Sequence, residues 1–262
     1  MPALDGIVIA LVEITMKTKT AQLCGLGLAA SLFLPSPSKL YAYDEITVKD
    51  GATIRGTVKV EGKIGKLPPL QVTKYKEVCK DVPNESLIVG PSQGVRYAVL
   101  TLEGVTKGKA VEKETAHELD NVRCRFLPHV QAASIGQFIV FKNSDPILHT
   151  AHAFFASEKQ PQFNVGLFPG RVSRKPLITT GVAKIQCEVH PWMTAYIVVT
   201  DHPYHAVTDS YGEYRINDIP AGNYRLKVWH ESLATEEKPV EAKAGATIKM
   251  DFVLRSKPEV KK

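Results

Sequence analysis

The chain has 262 residues, of which 44% are hydrophobic and 23% charged, and carries a net charge of +6 from 33 basic and 27 acidic side chains. That length buries a true core without help from disulfides, and the composition excludes disordered, collagen-like and low-complexity chains. The positive side chains are scattered among acids in "KVEGKIGK" and "VTKGKAVEKETAHELD" and cluster only in the tail "RSKPEVKK", which excludes the basic, aromatic-interleaved patch of a nucleic-acid-binding module and at most suits docking to an acidic protein.

The N-terminal 42 residues do not read as part of the folded body. From Met16, an alternative start, the chain runs "MKTKTAQLCGLGLAASLFLPSPSKLYAYDE": a Lys-containing start, an apolar run from Ala21 to Leu34, prolines, and the small residue Ala42. This order predicts a secretory signal peptide over residues 1–42, cleaved near Ala42, and a periplasmic or extracellular mature protein. The apolar run of about 14 residues is short of the roughly 20 that a bilayer core requires, so membrane contact is expected only through the leader. Cys24 leaves with it, and Cys79, Cys124 and Cys187 remain. An odd count in an oxidising compartment needs an explanation. Pairing Cys79 with Cys124 leaves Cys187 alone, and a metal would hold that sulfur as thiolate.

Short runs rich in Val, Ile, Phe and Tyr follow, broken by Gly, Pro, Asn or Asp: "TIRGTVKVEG", "SLIVG", "VRYAVLTLEGV", "QFIVFKNSD", "GVAKIQC", "AYIVVTD", "GEYRI", "NYRLKVW" and "TIKMDFVL". Many short strands with regular turn signals predict an all-β chain built as a sandwich or barrel. Residues 106–120 are highly polar and read as a loop or short helix, and residues 156–175 as a loop with embedded apolar side chains. A domain boundary is expected near His202 and Pro203, where one β pattern ends and another starts. The expected order is a β-rich part or extension over 43–123, a core over 124–202, a small β domain over 203–256, and a basic tail over 257–262.

The segment "KIQCEVHPWMTAYIVV" places Cys187, His190 and Met193 at C-x2-H-x2-M spacing between two apolar runs. Strand parity sets Ala183, Ile185 and Cys187 on one face, pointing inward. A buried thiol by itself is ordinary packing. The Pro191-containing loop after it, however, can fold a thiolate, an imidazole and a weak thioether around one point. Soft sulfur with imidazole suits copper, and one Cys with two His and a distant axial Met is the electron-transfer set of a type 1 copper site. Zinc is less well matched, because a structural zinc site takes four strong ligands and no Met. The second imidazole is sought upstream in "FIVFKNSDPILHTAHAF". His149 and His152 are three apart, so on an extended chain they face opposite sides. His149, directly after the "NSDP" turn at the end of the sheet, is the expected ligand.

These residues carry a family resemblance. "CEVHPWM" resembles the ligand loop of amicyanin- and plastocyanin-like cupredoxins, the blue copper proteins, and "HTAHAF" resembles the run that holds their first His. The resemblance covers roughly residues 124–200. It implies a Greek-key β-sandwich, one type 1 copper held by His149, Cys187, His190 and Met193, and a non-ligating His152. The family's Asn after the first ligand is Thr150 here, whose hydroxyl can replace part of the hydrogen bonding between the two ligand loops. The C-terminal "VTDSYGEYRINDIPAGNYRLKVWHESL" resembles a carboxypeptidase regulatory-like, transthyretin-type domain, through the elements at Asp209 to Tyr214 and Pro220 to Leu226. At about 55 residues it is short for a complete sandwich of that type.

The remaining histidines are read as structural: His129 as a surface or turn residue, His202 and His205 as lining the domain junction, His117 and His230 as lacking visible partners. Hydrolytic, phosphate and haem motifs do not occur, and one set of copper ligands argues against a multicopper oxidase. The expectation is not an enzyme but an exported electron carrier, with other exported redox proteins as donor or acceptor and His190 as the more exposed ligand where electrons enter. The alternatives are a copper carrier or sensor, and a cell-envelope β scaffold.

Overall fold

In the computed structural model, residues 43–155 and 162–257 are described. The expected signal peptide and cleavage point, Cys24 and nearly all of the basic tail lie outside the described residues. The regular elements of the described chain are all strands apart from one 3-10 turn at Pro91–Gln93. Its early strands are β1 (Asp44–Glu45), β2 (Ala52–Val60), β3 (Val99–Glu103) and β4 (Lys107–Gly108). Then come β5 (Ala116–Asn121), β6 (Phe126–Leu127), β7 (Val130–Ser134), β8 (Phe138–Asn143), β9 (His149–Phe155), β10 (Phe163–Leu167), β11 (Val172–Pro176), β12 (Gly181–Gln186) and β13 (Thr194–Thr200). The last are β14 (His205–Val207), β15 (Glu213–Ile219), β16 (Gly222–Trp229), β17 (Glu236–Ala242), β18 (Thr247–Lys249) and β19 (Phe252–Leu254).

Strands β5 to β13 form one sandwich. A five-stranded sheet in the order β10-β9-β12-β13-β7 faces a four-stranded sheet in the order β11-β8-β5-β6. The inward residues of both sheets, among them Leu119, Ile139, Phe141, Ala153, Leu167, Ile185 and Ile197, make one core cluster. Alternation along β9, buried at His149, Ala151, Ala153 and Phe155 and half-buried between them, is the period-2 pattern of a strand with one face in a core.

The segments expected to be irregular are partly stranded. Within 106–120 lie β4 and most of β5, and within 156–175 lie β10 and most of β11. The polar composition of β11 has a physical reason: it is the outer strand of its sheet and buries none of its five residues, so no apolar face is written into it. Conversely, "SLIVG" forms no strand and contributes only the isolated bridge Val89–Val95.

The chain passes from one sandwich to the other near His202, between β13 and β14, but the second sandwich does not begin there. β2 pairs with β15, β18 and β19, and β3 sits between β14 and β16. The small C-terminal unit is therefore completed by strands from residues 43–123, which are not simply an extension of the first sandwich. Its two sheets, β14-β3-β16-β17 and β15-β2-β18, enclose a second core that includes Ile54, Leu100, Leu102, Ile216, Leu226 and Phe252. Central placement of β2 explains Gly56: a Cβ there would lie 1.8 Å from the Met250 carbonyl oxygen, where pairing passes from β18 to β19. A third cluster, Tyr97, Val99, Val130 and Val198 with Trp229 against it, joins the two sandwiches.

Candidate metal centre

The sequence-predicted donors come from two places. β9 begins at His149, directly after the Asn143–Ile147 turn, and β12 lies beside it with Gln186 opposite His152 and Ile185 opposite Ala153. The chain leaves β12 at Cys187 and returns as β13. Met193 N donates to the His190 carbonyl at 2.9 Å, and Cys187 N donates to the Met193 carbonyl at 3.2 Å, closing the loop.

The structure brings His149, Cys187 and His190 together: one donor atom from each lies within 4.8 Å of the others. Cys187 Sγ is 3.9 Å from His149 Nδ1 and 3.6 Å from His190 Nδ1. A metal about 2.3 Å from sulfur and about 2.0 Å from nitrogen, with angles of about 120°, needs sulfur–nitrogen separations of about 3.7 Å. The donor set therefore fits a single ion. All three residues are almost wholly buried, and Met193 is buried in the same core cluster as Cys187. His152 stands on the opposite face of β9, where its Nδ1 meets the Glu188 carboxylate at 2.6 Å.

Neighbouring groups prepare each donor. His149 Nε2 lies 3.0 Å from Asp145 Oδ2. An ionised carboxylate there keeps the proton on Nε2 and leaves the Nδ1 lone pair facing the sulfur. Asp145 also accepts from Arg123 N at 2.6 Å and Cys124 N at 2.8 Å. Burial raises its pKa, but the hydrogen bonds to His149 and these two N–H groups outweigh it and hold the carboxyl below its ordinary range. For Cys187, burial pushes the thiol up, and its polar contacts, first with the His149 ring and then with the Thr150 and His190 backbones, more than reverse it. His149 is likewise raised: burial opposes its charged form, but Asp145 and Cys187 prevail. Burial, with the nearby charges of His149 and Lys74, presses His190 down to about 4, so it offers a free lone pair at neutral pH.

Thr150 ties the two ligand loops together. Its N–H donates to Cys187 Sγ at 3.3 Å, and its hydroxyl, 3.7 Å from the same sulfur, accepts from Glu188 N at 2.8 Å. The hydroxyl thus links the two loops directly.

His190 is not the exposed ligand that was expected: its relative exposure is 0%. The Tyr75 ring packs edge-on against it with centroids 5.3 Å apart, Trp192 lies at 5.2 Å, and His149 at 4.6 Å. Tyr75 belongs to a loop whose ends meet where Leu70 N donates to the Val82 carbonyl at 2.9 Å. A disulfide joins Cys79 of this loop to Cys124, leaving Cys187 as the free thiol among the described residues. Cys124 also lies near Asp145 and His149, but its sulfur is committed to the disulfide.

The other histidines also find partners that sequence reasoning missed. His129 is buried, not a surface residue, in close contact with the Glu231 carboxylate and beside the Tyr97 and Tyr196 rings. Burial, and then Glu231, raise Tyr196 to about 12. His117 Nε2 meets Gln137 Oε1 at 2.8 Å, and His230 Nδ1 accepts from Ser232 N at 3.1 Å. Ser134 Oγ meets the His202 carbonyl and His205 Nε2, from the far side of the junction. Partners more than sixty residues away, as for His129, His202 and His205, leave no local signal. Asp145, four residues from His149, stood within the "NSDP" turn and was readable as a carboxylate within reach of the ligand.

No curated protein sequence matches this chain. Among solved structures it is similar to the copper-containing nitrite reductase from Thermus scotoductus SA-01, with 25% identity over 36% of this chain and a TM-score of 0.31. The match spans only 24% of the length of that enzyme. It is similar to a purple cupredoxin from Nitrosopumilus maritimus, with 20% identity, 32% of this chain and 99% of that one covered, and a TM-score of 0.29. It is also similar to a reduced amicyanin variant, with 14% identity, 34% and 96% covered, and a TM-score of 0.30. Residues 190–255 match the carboxypeptidase regulatory-like domain family, a stretch that starts in the ligand loop and runs to the end of β19.

Proposed function

We propose that this chain is an exported type 1 copper protein that carries electrons and catalyses no reaction of its own. The observation that supports this most is the convergence of one thiolate and two imidazole Nδ1 atoms, at 3.6 and 3.9 Å from the sulfur, in a buried pocket. The chemistry of the donors adds to it, since buried Cys and His with a Met close by suit copper over zinc. Bound copper supplies a one-electron couple between Cu(II) and Cu(I).

The protein's part is to keep the donors still while that couple turns over. His149 is fixed by Asp145 on one side and by strand pairing on the other. Cys187 is held by the end of β12 and by the N–H of Thr150, and His190 by the rings around it. Donors that cannot move cost little reorganisation when the charge changes. Water is kept out by the same packing. The partners of such a carrier are other exported redox proteins.

Purified protein titrated with Cu(II) tests the reading. An intense blue absorption from thiolate charge transfer is expected, and Cys187→Ser is expected to abolish it while the β-sheet circular dichroism stays unchanged. A colourless copper adduct would point to a copper carrier or sensor instead, and no uptake by folded protein would leave a scaffold role.

A further inference from the structure

The burial of His190 raises the question of how an electron reaches it. Residues 70–82 form an Ω-loop, closed at its neck by the Leu70–Val82 hydrogen bond. Leu70, Val72 and Val78 pack against the core of the metal-bearing sandwich, and the Cys79–Cys124 disulfide fastens the loop beside Asp145. Tyr75 is at its tip, and both Val78 N and Cys79 N donate to its carbonyl, at 2.9 and 2.8 Å. They hold it at a φ of 51°, in the left-handed region that an aromatic residue seldom occupies. Such strain is retained where the surroundings over-determine it and is a pointer to function. One side of the ring lies against His190, yet the residue is 45% exposed.

The surface around Tyr75 is basic. Lys74 and Lys76 flank it, Lys80 follows, and all three are exposed. Against Glu77 and Asp81 this leaves the loop with one excess positive charge, three minus two. Arg123, which lines a depression together with Lys80 and Asp81, adds another.

We infer that the outer face of this loop is where an acidic electron-transfer protein docks, with the Tyr75 ring bridging between the partner and His190. The inference rests on the electron-carrier reading. The partner's redox group loses one electron, bound Cu(II) gains it, and no bond in the loop is made or broken. Lysines around the contact steer an acidic partner and set its salt dependence.

Two measurements test it. In metal-free protein, hexacyanochromate(III), a redox-inert paramagnetic anion, should broaden the amide resonances of residues 74–80 first. In copper-loaded protein, the triple variant Lys74→Glu, Lys76→Glu, Lys80→Glu should keep the blue band but be reduced by hexacyanoferrate(II) at least tenfold more slowly at low ionic strength. It should be reduced faster by hexaammineruthenium(II), and both differences should shrink as salt is added. A control triple on the second sandwich, Lys59→Glu, Lys243→Glu, Lys249→Glu, changes the net charge equally and should have a much smaller effect. Equal effects from the two triples, or broadening centred elsewhere, would overturn the docking surface while leaving the copper reading intact. A protein that takes up copper without turning blue would overturn the carrier reading and this inference with it.

Discussion

Replacing Asp145 by Asn tests how the centre is held. The side chains have nearly the same shape, but the carboxylate accepts three hydrogen bonds, from Arg123 N on Oδ1 and from Cys124 N and His149 Nε2 on Oδ2. An amide has one oxygen. If that oxygen faces Cys124 and His149, the new NH2 group meets the Arg123 N–H, a donor opposite a donor. If it faces Arg123, the Cys124 N–H is orphaned. A hydrogen bond to a charged group contributes about 1.5–3 kcal/mol, and an unsatisfied buried donor costs about 1–3 kcal/mol. The variant should therefore lose roughly 2–5 kcal/mol of metal-free stability. It should also bind copper about 10–100-fold more weakly, the usual loss when a group orienting a ligand is removed. Urea unfolding at pH 7 with and without copper, together with competition titration of the metal, reads both numbers. A loss under about 0.5 kcal/mol with unchanged copper affinity would refute the reasoning, because Asp145 would then not be the group that orients His149.

Thr150→Val keeps volume but removes the acceptor for Glu188 N; about 1 kcal/mol of stability should be lost, and the blue band should shift as the sulfur loses a neighbouring hydroxyl. Residues 203–256 expressed alone should remain unfolded by circular dichroism, since β2 and β3 supply central strands of that unit, and a fusion restoring residues 43–108 should rescue the sheet signal. His230, 2% exposed, has its pKa lowered to about 4 by burial, against an ordinary value of 6.5. The folded state thus prefers the neutral ring, so stability is fully present above pH 6.5 and falls as the pH drops toward 4, by roughly 3 kcal/mol from this residue. Urea unfolding of metal-free protein across that range should show a shallower pH dependence in His230→Asn, and an unchanged slope would contradict it.

Local periodicity was enough for some of this. The opposite facing of His149 and His152, the inward thiol of Cys187 and the all-β character follow from side chains alternating along a strand, a rule that needs only neighbours in the chain. The pairing of Cys79 with Cys124 followed from an odd count together with the C-x2-H-x2-M spacing that sets Cys187 apart, and the role of Thr150 from the family resemblance. Other features depend on contacts between distant segments. The polar strands β5 and β11 exist because other strands supply their hydrogen bonds, so their own composition shows no apolar face. The second sandwich borrows β2 and β3 across more than a hundred intervening residues, which pairing energy can do and pattern reading cannot see. The burial of His190 is of the same kind: whether a ligand meets solvent is decided by what packs over it, here Tyr75 from a loop more than a hundred positions earlier in the chain. Which residues could bind a metal was thus written along the chain, whereas how the metal would be reached was decided only when the chain closed over it.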